Sequence, residues 1–159
     1  MCDCLKVAEY FLSMQDGDAG NAISNMKLQK LLYYAQGFAM VILERPLFED
    51  DFEAWEYGPV VRKIYDKYKS FGSNALPKPD NFSLHKYSKE EKEFLDEIYN
   101  VYGQYSAWAL SEMVYKTPPW KDTPRNSIIS KVSMKKYFST RIVEDWKRKK
   151  IRSVPDISR

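Results

Sequence analysis

The strongest constraint on the fold is a long apolar stripe between residues 24 and 43. The stripe consists of Leu28, Leu31, Leu32, Ala35, Ala39 and Ile42. Intervals of three and four residues place these side chains on one face of an α-helix. Ser24 is a residue type that caps helix N-termini, and Pro46 cannot continue a helix. The sequence therefore predicts a long helix whose apolar face lies at the centre of the core.

Shorter segments on both sides of this helix also have helical spacing. A first helix is predicted over residues 3–14, and a third runs from Gly58-Pro59 to Gly72 with Val61, Ile64, Tyr65 and Tyr68 facing inward. Further helices are predicted from the Ser88–Glu91 capping box onward, over residues 106–115, and from a Ser133 cap through Met134, Phe138, Ile142 and Trp146.

Two segments do not fit this helical pattern. Over residues 47–57 the side chains alternate, with Phe52 and Ala54 on one face, which predicts a short strand or hairpin. Pro59 is then expected as the first helical residue, because its φ angle is preset for helix entry. Residues 117–124 contain three prolines and are predicted to form an ordered loop anchored by Trp120.

The chain of 159 residues is long enough for one domain with a sizeable core. Its 44% hydrophobic and 15% aromatic residues favour a packed globule over disorder. The predicted fold is mainly α: a compact single-domain helical bundle with a small β-hairpin or short strand insertion. The domain is assigned to residues 1–150, and residues 151–159 are expected to form a frayed C-terminal tail.

Few residues of this chain suit catalysis or metal binding. His85 is the only histidine, and Cys2 and Cys4 lack the paired spacing of zinc ligands. Phosphate-loop, dinucleotide and hydrolase motifs are also absent from the sequence. The acidic residues between Glu49 and Glu53 are interpreted as a solvated turn. We therefore expect no catalytic residues, no cofactor and no bound metal.

The sequence also bears on location and on partners. Asp3, Lys6 and Glu9 interrupt any apolar signal-peptide core, and the longest apolar run, residues 38–43, is too short for a membrane span. We expect a cytoplasmic protein that does not enter a membrane. The basic run over residues 146–152 gives an alternative hypothesis, in which a basic C-terminal helix of a phage or mobile-element protein contacts DNA or RNA.

Three segments together resemble the Panacea-domain family, which includes SocA-like antitoxins and the phage-associated GepA proteins. They are Ser24-Asn-Met-Lys-Leu-Gln-Lys-Leu-Leu-Tyr-Tyr-Ala-Gln36, Phe52-Glu-Ala-Trp-Glu-Tyr-Gly-Pro-Val-Val61 and Pro119-Trp120. Their order and spacing are similar to those of the family, and the resemblance extends from about Leu5 to Phe138. Each segment alone would be weak, but the three together are specific.

This resemblance implies a non-enzymatic antitoxin that binds and neutralises a co-encoded protein toxin. One branch of the family hands its toxin to a ClpXP-type protease, so a proteolytic adaptor is one form of the hypothesis. Aromatic rings commonly anchor protein interfaces, and cations on the polar side of the third helix suit an acidic partner. The predicted partner-binding residues are Trp55, Tyr57, Pro59, Arg62, Lys63 and Trp120.

Other residues of these segments are assigned to structure or to a reserve surface. Leu28, Gln29, Leu31 and Gly58 are interpreted as a structural motif, with Gly58 in a conformation that a Cβ atom would strain. Lys27, Lys30 and Tyr34 lie outside the apolar stripe of the long helix. They are therefore expected on an exposed face, which is the second choice for a binding surface.

Overall fold

The computed structural model describes residues 2–15, 22–145 and 148–151. This part of the chain is mainly helical, which confirms the predicted fold class. The helices are α1 (Cys4–Met14), α2 (Asn25–Ile42), α3 (Arg62–Tyr68), α4 (Lys89–Tyr102), α5 (Ala107–Val114), α6 (Pro118–Lys121) and α7 (Lys131–Ser139). The strands are β1 (Glu53–Trp55), β2 (Gly58–Val60), β3 (Ile142–Asp145) and β4 (Arg148–Ile151), and they form two antiparallel hairpins. None of the described helices is both long enough and apolar enough to cross a membrane.

Helix α2 is the central element, as its apolar stripe predicts. Helices α1, α4, α5 and α7 pack around it, and every residue of α2 except Met26 and Ile42 is buried. The predicted exposed face is therefore wrong, because Lys27, Lys30 and Tyr34 are all buried. A stripe identifies the most apolar face of a helix, but it does not show whether neighbouring elements also cover the other faces.

Aromatic rings fill the space between α2, α4 and α7. The Tyr34 and Tyr102 rings stack with their centroids 4.0 Å apart, and the Phe38 and Phe138 rings meet edge to face at 4.9 Å. A Cβ atom at Gly37 would lie 2.2 Å from the Phe138 ring. Glycine at this position therefore allows α7 to approach α2 closely.

The β1–β2 hairpin confirms the predicted β insertion and corrects the position of Pro59. Pro59 lies in β2 opposite Ala54, and α3 begins only at Arg62. The N–H and C=O of Ala54 point away from β2 and bond to Ser127 and Asn126 instead. Pro59 therefore occupies a position where β1 requires no N–H donor, so proline is tolerated within the strand.

The proline-rich segment also differs from the prediction of a loop. Residues Pro118–Lys121 form the short helix α6, which begins with proline at its first position. The missing N–H of proline removes no helical hydrogen bond there, and its φ angle suits helix entry. The same physical reason favours a helix start at Pro59, but strand pairing prevails at that position.

The C-terminal helix is shorter than predicted. Ser130, rather than Ser133, caps α7, and the helix ends at Ser139. Ile142 then begins strand β3, which pairs with β4, so the prediction of a basic C-terminal helix is wrong. The β-branched pair Ile142-Val143 favours a strand over a helix. Trp146 and the tail beyond Ile151 lie outside the described residues.

Candidate functional site

The first two motif segments meet at strand β2, where two neighbouring side chains of α2 hold the strand ends. Gln29 Oε1 accepts a hydrogen bond from the backbone N of Val61 at 2.9 Å. Lys30 Nζ donates to the backbone O of Tyr57 at 2.6 Å. These two contacts fix the hairpin against the central helix at residues 57 and 61.

The third motif segment supports the same hairpin from its other side. Trp120 Nε1 donates to the backbone O of Trp55 at 2.8 Å. Tyr33 OH and Thr117 Oγ1 lie 2.8 Å apart and connect α2 to the start of α6. The guanidinium of Arg125 covers the Trp120 ring at 3.9 Å. All three segments therefore converge on residues 55–61, although the Tyr33–Thr117 contact that connects α2 to α6 joins residues 84 positions apart in the sequence.

Gly58 satisfies two separate requirements of this arrangement. Its φ angle is +122°, a conformation that L side chains rarely adopt, which confirms the conformation predicted for it. A Cβ atom at this position would also lie 3.0 Å from Lys30 Nζ and 3.1 Å from Lys30 Cε. The Tyr57-Gly58 step therefore bends the hairpin and also leaves room for the lysine.

A cleft of about 680 Å³ opens between the hairpin tip and the first turn of α2. Its rim carries exposed apolar side chains, because Tyr57 is 62% and Met26 is 43% exposed. The lining is otherwise formed by Ser24, Asn25, Gln29, Lys30, Trp55, Glu56, Val60, Tyr65, Lys69, Gly72, Ser73, Ala107 and Asn126. The volume is within the range of small-molecule and cofactor pockets.

Two buried lysines of α2 have different surroundings. Lys27 Nζ donates to the Gly103 backbone O at 2.6 Å, at the C-terminal end of α4, where the helix carries partial negative charge. Lys30 lines the cleft and is only 1% exposed. Burial lowers the pKa of Lys30 to about 8, since removal from water disfavours the charged form.

The predicted partner-binding residues occupy different positions around the hairpin. Trp55 and Tyr57 line the cleft, whereas Trp120 lies half-buried beneath the hairpin. Arg62 is exposed and forms two hydrogen bonds to the Glu53 carboxylate, with its guanidinium 5.1 Å from the Trp55 ring. The hydrogen bond from Arg62 lowers the pKa of Glu53.

Two other members of that set lie away from the cleft lining. Lys63 is exposed and pairs with Asp3 at 3.1 Å, at the N-terminus of α1. Pro59 is buried within β2. Of the residues interpreted as structural, Leu28 and Leu31 are fully buried, and Gln29 is buried against Val61.

Sequence reasoning missed two exposed apolar residues, of which one lines the cleft. Met26 lies on its rim, and Trp108 on α5 is 72% exposed. The Ser111 hydroxyl, on the same helix as Trp108, contacts the Met26 sulfur at 3.8 Å. Trp108 lies outside the buried stripe of α5, and a tryptophan on the polar face of a helix is a signal that could have identified it.

The residues considered for metal binding are arranged differently from a zinc site. In the described residues, Asp3, Cys4 and Asp50 offer potential ligand atoms within 4.8 Å of one another, and His85 is exposed elsewhere. Burial raises the pKa of Cys4 to about 12 and of Cys2 to about 11. Both thiols are therefore protonated and weakly nucleophilic at neutral pH. In the acidic cluster, Asp51 pairs with Lys131 and Glu53 with Arg62.

The fold and the cleft define a small helical domain with a preformed, largely apolar cleft. The family described as "Antitoxin SocA-like, Panacea domain" matches residues 28–121, which include most of the first motif segment and both of the others. The chain therefore belongs to the SocA-like, Panacea-domain family, as the resemblance indicates. The matched range is narrower than the resemblance, which extends to both sides of it. Family membership favours an antitoxin role and a non-enzymatic protein.

A curated relative supports the same assignment over a shorter segment. The chain is 48% identical over 54 residues to Antitoxin SocA of Caulobacter vibrioides (strain NA1000 / CB15N). This match spans 34% of the chain and 29% of the length of that relative. No solved structure matches the chain.

Proposed function

We propose that this protein is an antitoxin that binds and neutralises a protein toxin encoded beside it, and that the toxin binds at the cleft. The observation that carries this proposal is the preformed cleft with exposed Tyr57 and Met26 on its rim. Aromatic side chains beside a concave apolar surface are the commonest energetic anchors of protein interfaces. Family membership supports the choice of a toxin as the partner.

The positive charges of Arg62 and Lys63, at the outer side of the hairpin, suit an acidic partner. Arg62 and Lys63 both lie exposed at the start of α3 and are adjacent to Trp55 and Asp3, respectively. Exposed charges of this kind contribute mainly to the association rate and to specificity, and their own ion pairs add little stability. We therefore propose them as guiding contacts around the aromatic anchors.

Neutralisation takes one of two forms, which the cleft serves equally. In the first, the bound domain covers the active surface of the toxin. In the second, the domain of residues 1–150 is an adaptor that presents the bound toxin to a ClpXP-type protease in the cytoplasm. The lifetime of the toxin in cells with and without that protease separates the two, since only the adaptor shortens it.

The function is tested by expressing the product of the neighbouring gene in a bacterial host, with and without this chain. We expect the neighbouring gene to arrest growth and the intact chain to restore it. Arg62→Ala and Tyr57→Ala should each reduce this rescue, whereas the exposed Val132→Ala on α7 should not. Arrest that the intact chain fails to relieve would contradict the proposal. Salt-sensitive binding to generic duplex DNA would instead favour the nucleic-acid hypothesis.

A further inference from the structure

Lys30 is a buried cation without an opposite charge beside it. Among the described residues, its ammonium group has one hydrogen-bond partner, the neutral backbone O of Tyr57, and no carboxylate lies within 4.0 Å. Burial of an ammonium group is unfavourable unless a counter-charge and further hydrogen bonds compensate for the loss of water. A backbone carbonyl satisfies only one of the three donors of the group.

The location of Lys30 distinguishes it from Lys27. Both lysines are buried in α2, and each ammonium donates to one backbone carbonyl at 2.6 Å. Lys27 lies at the C-terminus of α4, where the helix dipole favours a cation, and it does not line the cleft. Lys30 does line the cleft, and the missing Cβ of Gly58 leaves space beside its ammonium.

We infer that the cleft takes up an acidic side chain from an apolar segment of the toxin, and that Lys30 pairs with its carboxylate. This inference rests on the proposed function and adds the chemistry of the partner. In the described part of the free protein the Lys30 ammonium has no negatively charged partner, and the toxin carboxylate would supply one. A buried pair of this kind is strong when both partners are present. Perturbation of the Lys30 pKa by burial, inside a cleft, is typical of functional sites.

The apolar lining around Lys30 determines the kind of segment that fits. Met26 from α2, Val60 from β2, Tyr65 from α3 and Ala107 from α5 contribute to the same cleft as Lys30. Apolar contacts are thus available from four elements. An acidic residue with apolar neighbours on both sides in the sequence would use these contacts more fully than the carboxylate of a chain terminus. The phosphates of a nucleic acid are strongly hydrated, so they would make no apolar contacts with this surface.

The first test measures the affinity of the purified chain for the product of the neighbouring gene. Lys30→Met should weaken binding by at least about 30-fold, because it leaves the toxin carboxylate buried without a partner. The same change at the exposed Lys136 of α7 is the matched control and should leave affinity within about 2-fold. Thermal unfolding of each variant, followed by circular dichroism, checks that Lys30→Met is folded.

The second test changes the toxin and leaves this chain intact, so it does not depend on the folding of the Lys30 variant. Each aspartate and glutamate of the toxin is replaced by its amide, one at a time. One replacement should weaken binding to the intact chain and have no further effect with Lys30→Met. That result identifies the paired residue.

The outcomes separate this inference from the proposed function. Tight binding by Lys30→Met, or equal effects of every acidic replacement, would overturn the lysine–carboxylate pair and leave the antitoxin function standing. Failure of the intact chain to bind the neighbouring gene product would overturn both. Concentration-dependent self-association of the intact chain that Lys30→Met abolishes would assign the cleft to a second copy of this protein and contradict a toxin carboxylate.

Discussion

At the scale of single residues, Gly58 and Lys30 depend on each other. The hairpin passes so close to the ammonium of Lys30 that a Cβ atom at position 58 would lie 3.0 Å from it, and the lysine side chain would have to shift to make room. The φ angle of +122° adds a second reason for glycine. This pairing explains why the helix segment around Lys30 and the Tyr57-Gly58-Pro59 step belong to one sequence signature.

The first prediction compares two glycines with positive φ. Gly72 has φ +59° and open space where a Cβ atom would lie, whereas Gly58 has both strain and a close contact. Gly72→Ala should lower the free energy of unfolding by about 1 kcal/mol, and Gly58→Ala by about 2–3 kcal/mol. Urea denaturation of both variants checks this. Equal losses would show that the lysine easily moves away from position 58.

The second prediction concerns the pH dependence that Lys30 introduces. Its pKa is about 8 in the folded protein, against 10.5 for an ordinary lysine, so the unfolded chain binds more protons between these values. The cost of burying the charge is therefore fully present below pH 8 and is lost as the pH rises toward 10.5. Relative to Lys30→Met, the intact protein should gain about 2 kcal/mol of stability between about pH 7.5 and 9.5.

At each pH, the free energy of unfolding of Lys30→Met is subtracted from that of the intact protein. Glu56, Tyr57, Tyr65 and Lys69 also line the cleft and are present in both proteins, so the difference in stability isolates the effect of Lys30. The measurement is a series of urea unfolding curves across the pH range. A stability difference that stays constant with pH would mean that the fold does not lower the pKa of Lys30.

At the scale of elements, α2 organises the domain through buried glutamines as well as through its apolar stripe. Gln29 bonds to Val61, and two turns later Gln36 bonds to Leu47 and Phe48. Each amide satisfies backbone groups of a segment that would otherwise be buried without partners. The long helix thus positions both the hairpin and the chain that leads into it.

The third prediction uses these two glutamines as controls for each other. Gln29→Leu should leave the buried Val61 N–H without an acceptor and cost about 1–3 kcal/mol. Amide hydrogen exchange should accelerate at Val61 in this variant, and at Leu47 in Gln36→Leu. Faster exchange at both amides in either variant would show that the glutamines support one cooperative unit rather than separate segments.

The sequence predicts the elements better than it predicts their surroundings. Local signals suffice for the Ser88 capping box and the Ser24 cap, because these depend on neighbours in the chain. The position of Pro59 depends on residues 126 and 127, which draw the backbone groups of Ala54 away. No local pattern contains that information.

The candidate site, like the fold, is only partly predictable from the sequence. Residue type and motif identify Trp55 and Tyr57, and both line the cleft. For Lys30 the sequence predicts an exposed face, because a charged residue outside an apolar stripe is usually solvated. Its burial arises from the hairpin, which covers that side of α2. The convergence of the three motif segments on one hairpin is a property of the tertiary structure.

At the scale of the whole molecule, the helical bundle is a rigid support for one hairpin and the cleft beside it. Contacts from α2 and from α6 hold the hairpin backbone at residues 55, 57 and 61. The cleft is therefore formed before a partner arrives, which reduces the entropy lost on binding. We propose that the toxin binds at this preformed cleft, with Tyr57 on its rim.

The most direct test is the affinity of Tyr57→Ala for the product of the neighbouring gene, measured together with its thermal stability. Because the Tyr57 side chain is 62% exposed, we predict an unchanged unfolding temperature and a loss of at least about 2 kcal/mol of binding energy. Val132→Ala, at an exposed position on α7, should change neither quantity. Full affinity in Tyr57→Ala, or a loss of affinity that only follows a loss of stability, would contradict binding of the toxin at this cleft.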